Sequence, residues 1–375
     1  MKKIIFIRNA YSFDFGGGER VPVSIANEVS KYDFEPIIIS KNPKLLDFAK
    51  NSRVKTIKGV WWSQQDWSGY KIIFTPIYFS WLFFVFLWYV LIFLKNNPKI
   101  VHVQSKDDFI AATLAGKLLG KKVIWSDHAD LKHIYKNYQI WYKNPVGKLI
   151  YLVSLLANHI IITSKSEKQL IEDSLGKKLA KNYVVIYLGV VDTEQHQPKR
   201  KISNKVTIVA TSRLVKDKGI GELIDAFSEA KIPNSTLKIC GDGRDSKFFE
   251  TKAKNAENIK FLGHIKDVVY ELNKADIYIH PTYHESFGVS LVEAEMCGLP
   301  IIASDVGSIP EIVKDKKNGI LVPVKDVTGL VQAIQKLVNF PELRVKMGNE
   351  GRQLFLDKFQ LDKIVKEKYL PIYEK

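Results

Sequence analysis

Cysteine is scarce: Cys240 and Cys297 are the only two in 375 residues. That excludes a disulfide framework and suits a reducing compartment. Metal-ligand spacing is missing too, because the eight histidines form no pattern that would enclose zinc. No G-x-G-x-x-G fingerprint occurs, which removes the simplest dinucleotide-binding reading, and no repeat of solenoid period is present. Near the start, Lys2-Lys3 is followed by only four apolar residues before Arg8, too few for the apolar region of a secretory leader. The expectation is a chain without a signal peptide whose Ile4 to Ile7 forms a first buried strand.

What is present suits a soluble globular chain long enough for two domains. The net charge is +16, and most of it lies in the first 190 residues. Nucleic acid is excluded as the partner, since no helix-turn-helix, RNP or zinc-finger pattern accompanies the basic excess. An anionic membrane surface fits better, because the same half contains the run Ile72 to Leu94, free of any charged residue. A helix from Pro76 through this run is long enough to span a bilayer. Spanning would place the strands before and after it on opposite sides of the membrane, and basic residues flank it on both sides without orienting asymmetry. Interfacial docking is therefore expected, through Trp81, Phe83, Phe84 and Trp88 with the upstream Trp61, Trp62 and Trp67. Burial as a core helix is the competing reading.

Elsewhere short apolar runs alternate with helical patterns. Strands are expected at residues 3–7, 35–40, 55–58, 100–104, 122–126, 159–163 and 183–187, then at 206–210, 236–240, 259–262, 277–280, 301–303 and 319–322. Such alternation predicts α/β architecture with two doubly wound, Rossmann-like parallel sheets. The polar stretch 191–204 reads as a linker between domains 1–190 and 205–355. Ligands of such sheets bind at strand C-termini, here in a central cleft between the domains.

One stretch carries most of the chemistry. The strand at 277–280 runs into Pro281-Thr-Tyr-His-Glu285-Ser-Phe-Gly288, and a helix follows from Val289. The first amides of a helix lack internal partners and make an anion site, here those of Gly288, Val289, Ser290 and Leu291. Gly288 lets a ligand approach the backbone. Glu285 and Glu293, beside an anion site, are better explained as acceptors for hydroxyl groups. Phosphate donors flanked by hydroxyl acceptors describe a sugar nucleotide.

This stretch resembles the Glu-x7-Glu signature of the family 4 retaining glycosyltransferases of the GT-B fold. The likeness continues through Ala294-Glu-Met-Cys-Gly-Leu-Pro300, Ile309-Pro-Glu-Ile-Val313 and Asn318-Gly-Ile-Leu-Val-Pro323. The resemblance implies further positions. Arg213 and Lys218 match its Arg-x4-Lys-Gly element, whose cations hold the donor diphosphate. Gly17 and Gly18 fall in the loop that faces donor and acceptor. His128 falls where many members place a histidine near the transferred sugar, with Asp127 and Asp130 as acceptor-side candidates. Gly241 supports a turn at the donor, although Arg244 stands where relatives usually have proline. A final helix, 356–375, returns to the first, acceptor-side domain.

These readings converge on a retaining, metal-independent glycosyltransferase (hexosyl or hexosaminyl). No cofactor is expected, and a UDP- or GDP-sugar is the donor. The acceptor is expected to be a lipid-linked or free saccharide, met at the cytoplasmic face of a bacterial membrane during surface polysaccharide or lipopolysaccharide assembly. Rival readings are a GT-B nucleotide-sugar epimerase, a phosphorylase, whose cofactor lysine is not found, and a non-catalytic membrane-associated scaffold.

Overall fold

Ile4, Ile5, Phe6 and Ile7 are all fully buried, so this strand is covered on both faces, as a central strand of a parallel sheet must be. The computed structural model describes residues 1–9, 17–60, 75–128, 131–135, 145–192 and 205–374. It divides into two units, Met1–Leu188 with Leu361–Lys375, and Gly189–Gln360.

The first unit contains β1 (Lys2–Ile7), β2 (Phe34–Ser40), β3 (Lys55–Lys58), β4 (Ile100–Val103), β5 (Lys122–Asp127), β6 (His159–Ile162) and β7 (Tyr183–Val185). They form one parallel sheet in the order β3-β2-β1-β4-β5-β6-β7. Ile5 lies between Ile37 of β2 and Val101 of β4. Its helices are α1 (Gly17–Val29), α2 (Pro43–Asn51), α3 (Thr75–Asn96), α4 (Phe109–Leu118), α5 (Leu131–Tyr135), α6 (Pro145–Ser154) and α7 (Lys165–Leu175). Right-handed crossovers put α1 and α2 on one face of this sheet and α3 to α7 on the other.

The apolar run has one buried and one exposed side. Tyr78, Leu82, Val85, Tyr89 and Phe93 form one helical stripe of α3, buried in the core of the first unit. Tyr89 donates its hydroxyl proton to Asp108 Oδ1 at 2.5 Å and accepts from Asn9 Nδ2, which pins α3 to the end of β1. The other face of α3 is solvent-exposed, with Ile77 at 67% and Phe84 at 62%. Trp81 and Phe83 lie on that exposed side, whereas Trp88 is half-buried against the core. Trp61, Trp62 and Trp67 lie outside the described residues.

The segment from Leu361 onward docks in the first unit through His102 of β4. The His102 ring is fully buried, with Nδ1 2.8 Å from the Tyr373 hydroxyl and Nε2 2.7 Å from Ser126 Oγ. Burial lowers its pKa to about 3.

The second unit has β8 (Val206–Thr211), β9 (Ser235–Cys240), β10 (Ile259–Gly263), β11 (Ile277–His280), β12 (Ile301–Ser304) and β13 (Gly319–Val322). The parallel order is β10-β9-β8-β11-β12-β13, so the topology reverses between β8 and β11. Its helices are α8 (Ile220–Ala230), α9 (Ser246–Lys252), α10 (Val268–Asn273), α11 (Val289–Met296), α12 (Ile309–Ile312), α13 (Val327–Asn339) and α14 (Pro341–Lys358). Helix α14 packs on α11, and Arg352 braces it with a bidentate pair to Asp192 at 2.9 and 2.6 Å and a bond to Met296 O.

His102 generates a testable expectation. Its folded pKa lies below the ordinary value, so between about 6.5 and about 3 the unfolded chain binds the extra proton. Stability is then full above pH 6.5 and falls as pH drops toward 3, by at most about 1.4 kcal/mol per pH unit for this one group. Denaturant melts of His102→Gln should show a shallower acid loss than wild type between pH 6.5 and 4. An unchanged slope would count against a buried neutral imidazole.

Candidate active site

Ligand sites of open parallel sheets lie at strand C-termini where the topology reverses. In the second unit that point is shared by the loops after β8 and β11, residues 212–219 and 281–288. They touch backbone to backbone. Gly219 has φ +66°, and a β-carbon there would lie 1.9 Å from Pro281 O. Tyr283 N donates to Asp217 O at 2.9 Å. The loop after β12 closes in the same way, since a β-carbon on Gly307, at φ +57°, would lie 2.1 Å from Glu285 O. Any other residue at either position would push the loops apart.

Glu285 sits at the centre of these contacts. His280 Nε2 is 2.9 Å from its Oε2, and Lys218 Nζ is 3.5 Å from the same oxygen. Burial acts to raise the carboxyl pKa, but the His280 hydrogen bond and the Lys218 charge outweigh it and hold the group at about 2. An ionised carboxylate only accepts, so the His280 Nε2 carries the proton. Both partners engage Oε2, which leaves Oε1 to accept from a ligand. Lys218 also reaches Thr282 Oγ1 at 3.3 Å and His284 O at 3.5 Å.

Gly288 caps α11 at φ +94° with no side-chain cap. Leu291 and Val292 amides bond back to Gly288 O, while the amides of Val289 and Ser290 have no backbone partner among the described residues. Together with the helix dipole they offer an anion two donors. Glu293 is half-buried, further along the same helix. Arg213 is exposed; its carbonyl accepts from the Val215 amide and the Ser212 hydroxyl, while its guanidinium has no hydrogen bond or ion pair among the described residues. Gly241 packs against Ser212, where a β-carbon would meet Ser212 O at 1.8 Å. The loops after β8 and β11 and the start of α11 thus bring Lys218, His280 and Glu285 together beside two helix amides without a backbone partner among the described residues, with Arg213 on the first loop and Glu293 further along α11. The described residues contain no group of three His, Cys, Asp or Glu that would hold a metal ion.

The first unit carries the remaining candidates. Gly17 and Gly18 open α1. Beside them Arg8 donates to Gln104 O and pairs with Glu19 at 3.4 Å. His128 follows β5; its Nε2 is shielded from solvent and has no partner among the described residues. Burial, reinforced by the Arg8 charge, holds the imidazole well below its ordinary value, so it is neutral at physiological pH. Asp127 is fully buried and accepts from the Leu131 amide at 3.1 Å, capping the short helix α5. Asp130 lies outside the described residues.

Sequence reasoning assigned no role to His280, Thr282, Arg8 or Glu19. His280 ends β11, five residues before Glu285, and its place at a strand terminus is the signal that could have marked it. Arg8 directly follows β1.

Comparison with known proteins bears on the same residues. The family described as "Glycosyltransferase Family 4" matches residues 15–194, and "Glycosyl transferases group 1" matches residues 191–354. The chain is 27% identical to the 2-deoxystreptamine N-acetyl-D-glucosaminyltransferase of Niallia circulans, over 78% of this chain and 80% of that protein. It is 26% identical to the N,N'-diacetylbacillosaminyl-diphospho-undecaprenol alpha-1,3-N-acetylgalactosaminyltransferase of Campylobacter jejuni, over 56% and 55% of the two chains. Among solved structures, Anabaena HepE in complex with UDP superposes with a TM-score of 0.80 at 16% identity, covering 100% of both chains. Two parallel α/β units, two adjoining family matches and this shared fold agree, and the chain belongs to the group 1 glycosyltransferases of the GT-B fold.

Proposed function

We propose that this glycosyltransferase moves a hexosyl or hexosaminyl group, with retention, from a UDP- or GDP-sugar to a lipid-linked saccharide. It would work at the inner face of the cell membrane in surface polysaccharide or lipopolysaccharide assembly. The observation that carries the donor side is the cluster of Glu285, Lys218 and the free amides of α11. The leaving diphosphate gains negative charge as the glycosidic bond breaks, and Lys218, Arg213 and the Val289 and Ser290 amides are placed to meet it. Glu285 Oε1 accepts from hydroxyls of the transferred sugar, and Glu293 from those of the ribose. Positive charge is supplied by side chains and backbone, so no bridging cation is needed. The UDP held in the HepE complex supports a nucleotide donor. The diphospho-undecaprenol substrate of the Campylobacter relative supports a lipid-linked acceptor. Retention rests on the family resemblance.

Lys218→Ala and Arg213→Ala are each expected to lower kcat by about 10²-fold or more in nucleotide-sugar turnover, with the protein still folded. Near-normal rates in both at saturating donor would remove the diphosphate from this place. Glu285→Gln should lose turnover at every pH from 5 to 8 without shifting the profile, because the native carboxyl, at about 2, is ionised throughout that range.

Turnover should also persist in excess EDTA. Loss with chelator, restored by manganese or magnesium, would mean that a cation neutralises the diphosphate.

A further inference from the structure

The exposed apolar surface of the first unit extends beyond α3. Helices α3, α4 and α6 lie side by side on one face of the sheet and share one core with Ile5 and Ile7 of β1. Each leads directly into a strand of the same parallel sheet, β4, β5 and β6, so the three helices run parallel and end at the same edge. Lysines stitch that edge: Lys117 Nζ donates to Asn158 Oδ1 at 2.7 Å, and Lys121 Nζ to Asn97 Oδ1 at 2.6 Å. At this edge each helix presents a bare leucine, Leu91 of α3 and Leu118 of α4 at 66% exposure, and Leu155 just beyond α6 at 56%. The outer aromatic face of α3 continues from it.

Charge separates this face from the rest of the unit. None of α3, α4 and α6 contains an Asp or Glu. Acids lie on the helices around this layer: α1 carries Glu19 and Glu28 and α2 carries Asp47 on the opposite face of the sheet, and α7, on the same face, carries Glu167, Glu172 and Asp173. The leucine edge is rimmed instead by Lys95, Lys99, Lys117 and Lys121. An apolar three-helix layer free of acids and edged by lysines matches a bilayer with anionic headgroups, where leucines enter the acyl boundary and lysine stems reach back to phosphates. A second copy of the chain fits poorly, because a two-fold interface would set one lysine rim against another.

We propose that the outer layer of α3, α4 and α6 is one surface that docks flat on an anionic membrane leaflet. Helix α3 lies in the plane of that leaflet and does not cross it. Its inner stripe is held by the core, its Tyr89 hydroxyl is bonded to Asp108, and β3 and β4 on either side of it belong to one sheet. The inference deepens the proposed function, since it rests on a lipid-linked acceptor, and it adds residues of α4 and α6 that lie outside the apolar run.

The test uses the full chain and vesicles of phosphatidylglycerol with phosphatidylcholine, beside vesicles of phosphatidylcholine alone. Leu118→Glu/Leu155→Glu alters two exposed side chains away from the site. Lys44→Glu/Lys50→Glu on α2 is the control, and it removes more positive charge from the opposite face of the sheet. The leucine variant should lose about tenfold or more of its affinity for the anionic vesicles while nucleotide-sugar hydrolysis stays unchanged. The control should lose less than about threefold. Three results would overturn the proposal: wild type that ignores anionic vesicles, a control that loses as much as the leucine variant, or a wild-type dimer that the leucine variant splits. Vesicle binding in a protein without nucleotide-sugar turnover would instead sink the proposed function and leave the surface standing.

Discussion

Two pairs of loops in the second unit approach each other more closely than a β-carbon allows, and the candidate site depends on that approach. Gly219 against Pro281 joins the turn after β8 to the loop after β11, and Gly307 against Glu285 joins that loop to the turn after β12. Lys218 is carried on the first turn and Glu285 on the shared loop. Their ion pair therefore forms because the backbones meet, and the two side chains need little further ordering. The same closeness shields Glu285 from water, and such burial would neutralise a lone carboxyl. His280 and Lys218 prevent this, so a nearly buried acid keeps its charge and its acceptor role.

The sheets were legible because each strand is a short apolar run bounded by turn residues, and both faces of a parallel strand are buried. The frame of the second unit's candidate site was legible for a related reason: strand end, glycine and helix start follow one another in sequence from Ile277 to Met296. The partnership of His280 with Glu285 was not, since a histidine beside an acid in sequence says nothing about which carboxylate oxygen it meets. Arg8 and Glu19 were hidden likewise, since they meet only once α1 folds back beside β1. Asp127, an acceptor-side candidate, also accepts from the Leu131 amide with one oxygen, a contact that depends on the chain turning back into α5.

Helix α3 shows why hydropathy alone gave two competing readings. A chain segment apolar on all sides carries no mark of which side faces the core. The marks are the hydroxyls of Tyr78 and Tyr89, which lie on the inner stripe, and their polar surroundings come from distant segments around Asp107 and Asp108. Packing therefore assigns one stripe of the helix to the fold and leaves the remainder as surface.

The division of the chain has a consequence for its synthesis. The second unit is one continuous stretch, Gly189–Gln360, whereas the first is completed only by Leu361–Lys375, with Tyr373 against His102. A ribosome delivers the whole second unit before the residues that finish the first. The usual order, in which the N-terminal domain matures first, is reversed in its last step here. Until then the first unit waits with the ring of His102 lacking its tyrosine, and a chain truncated near residue 360 would keep the entire second unit and lose the closure of the first.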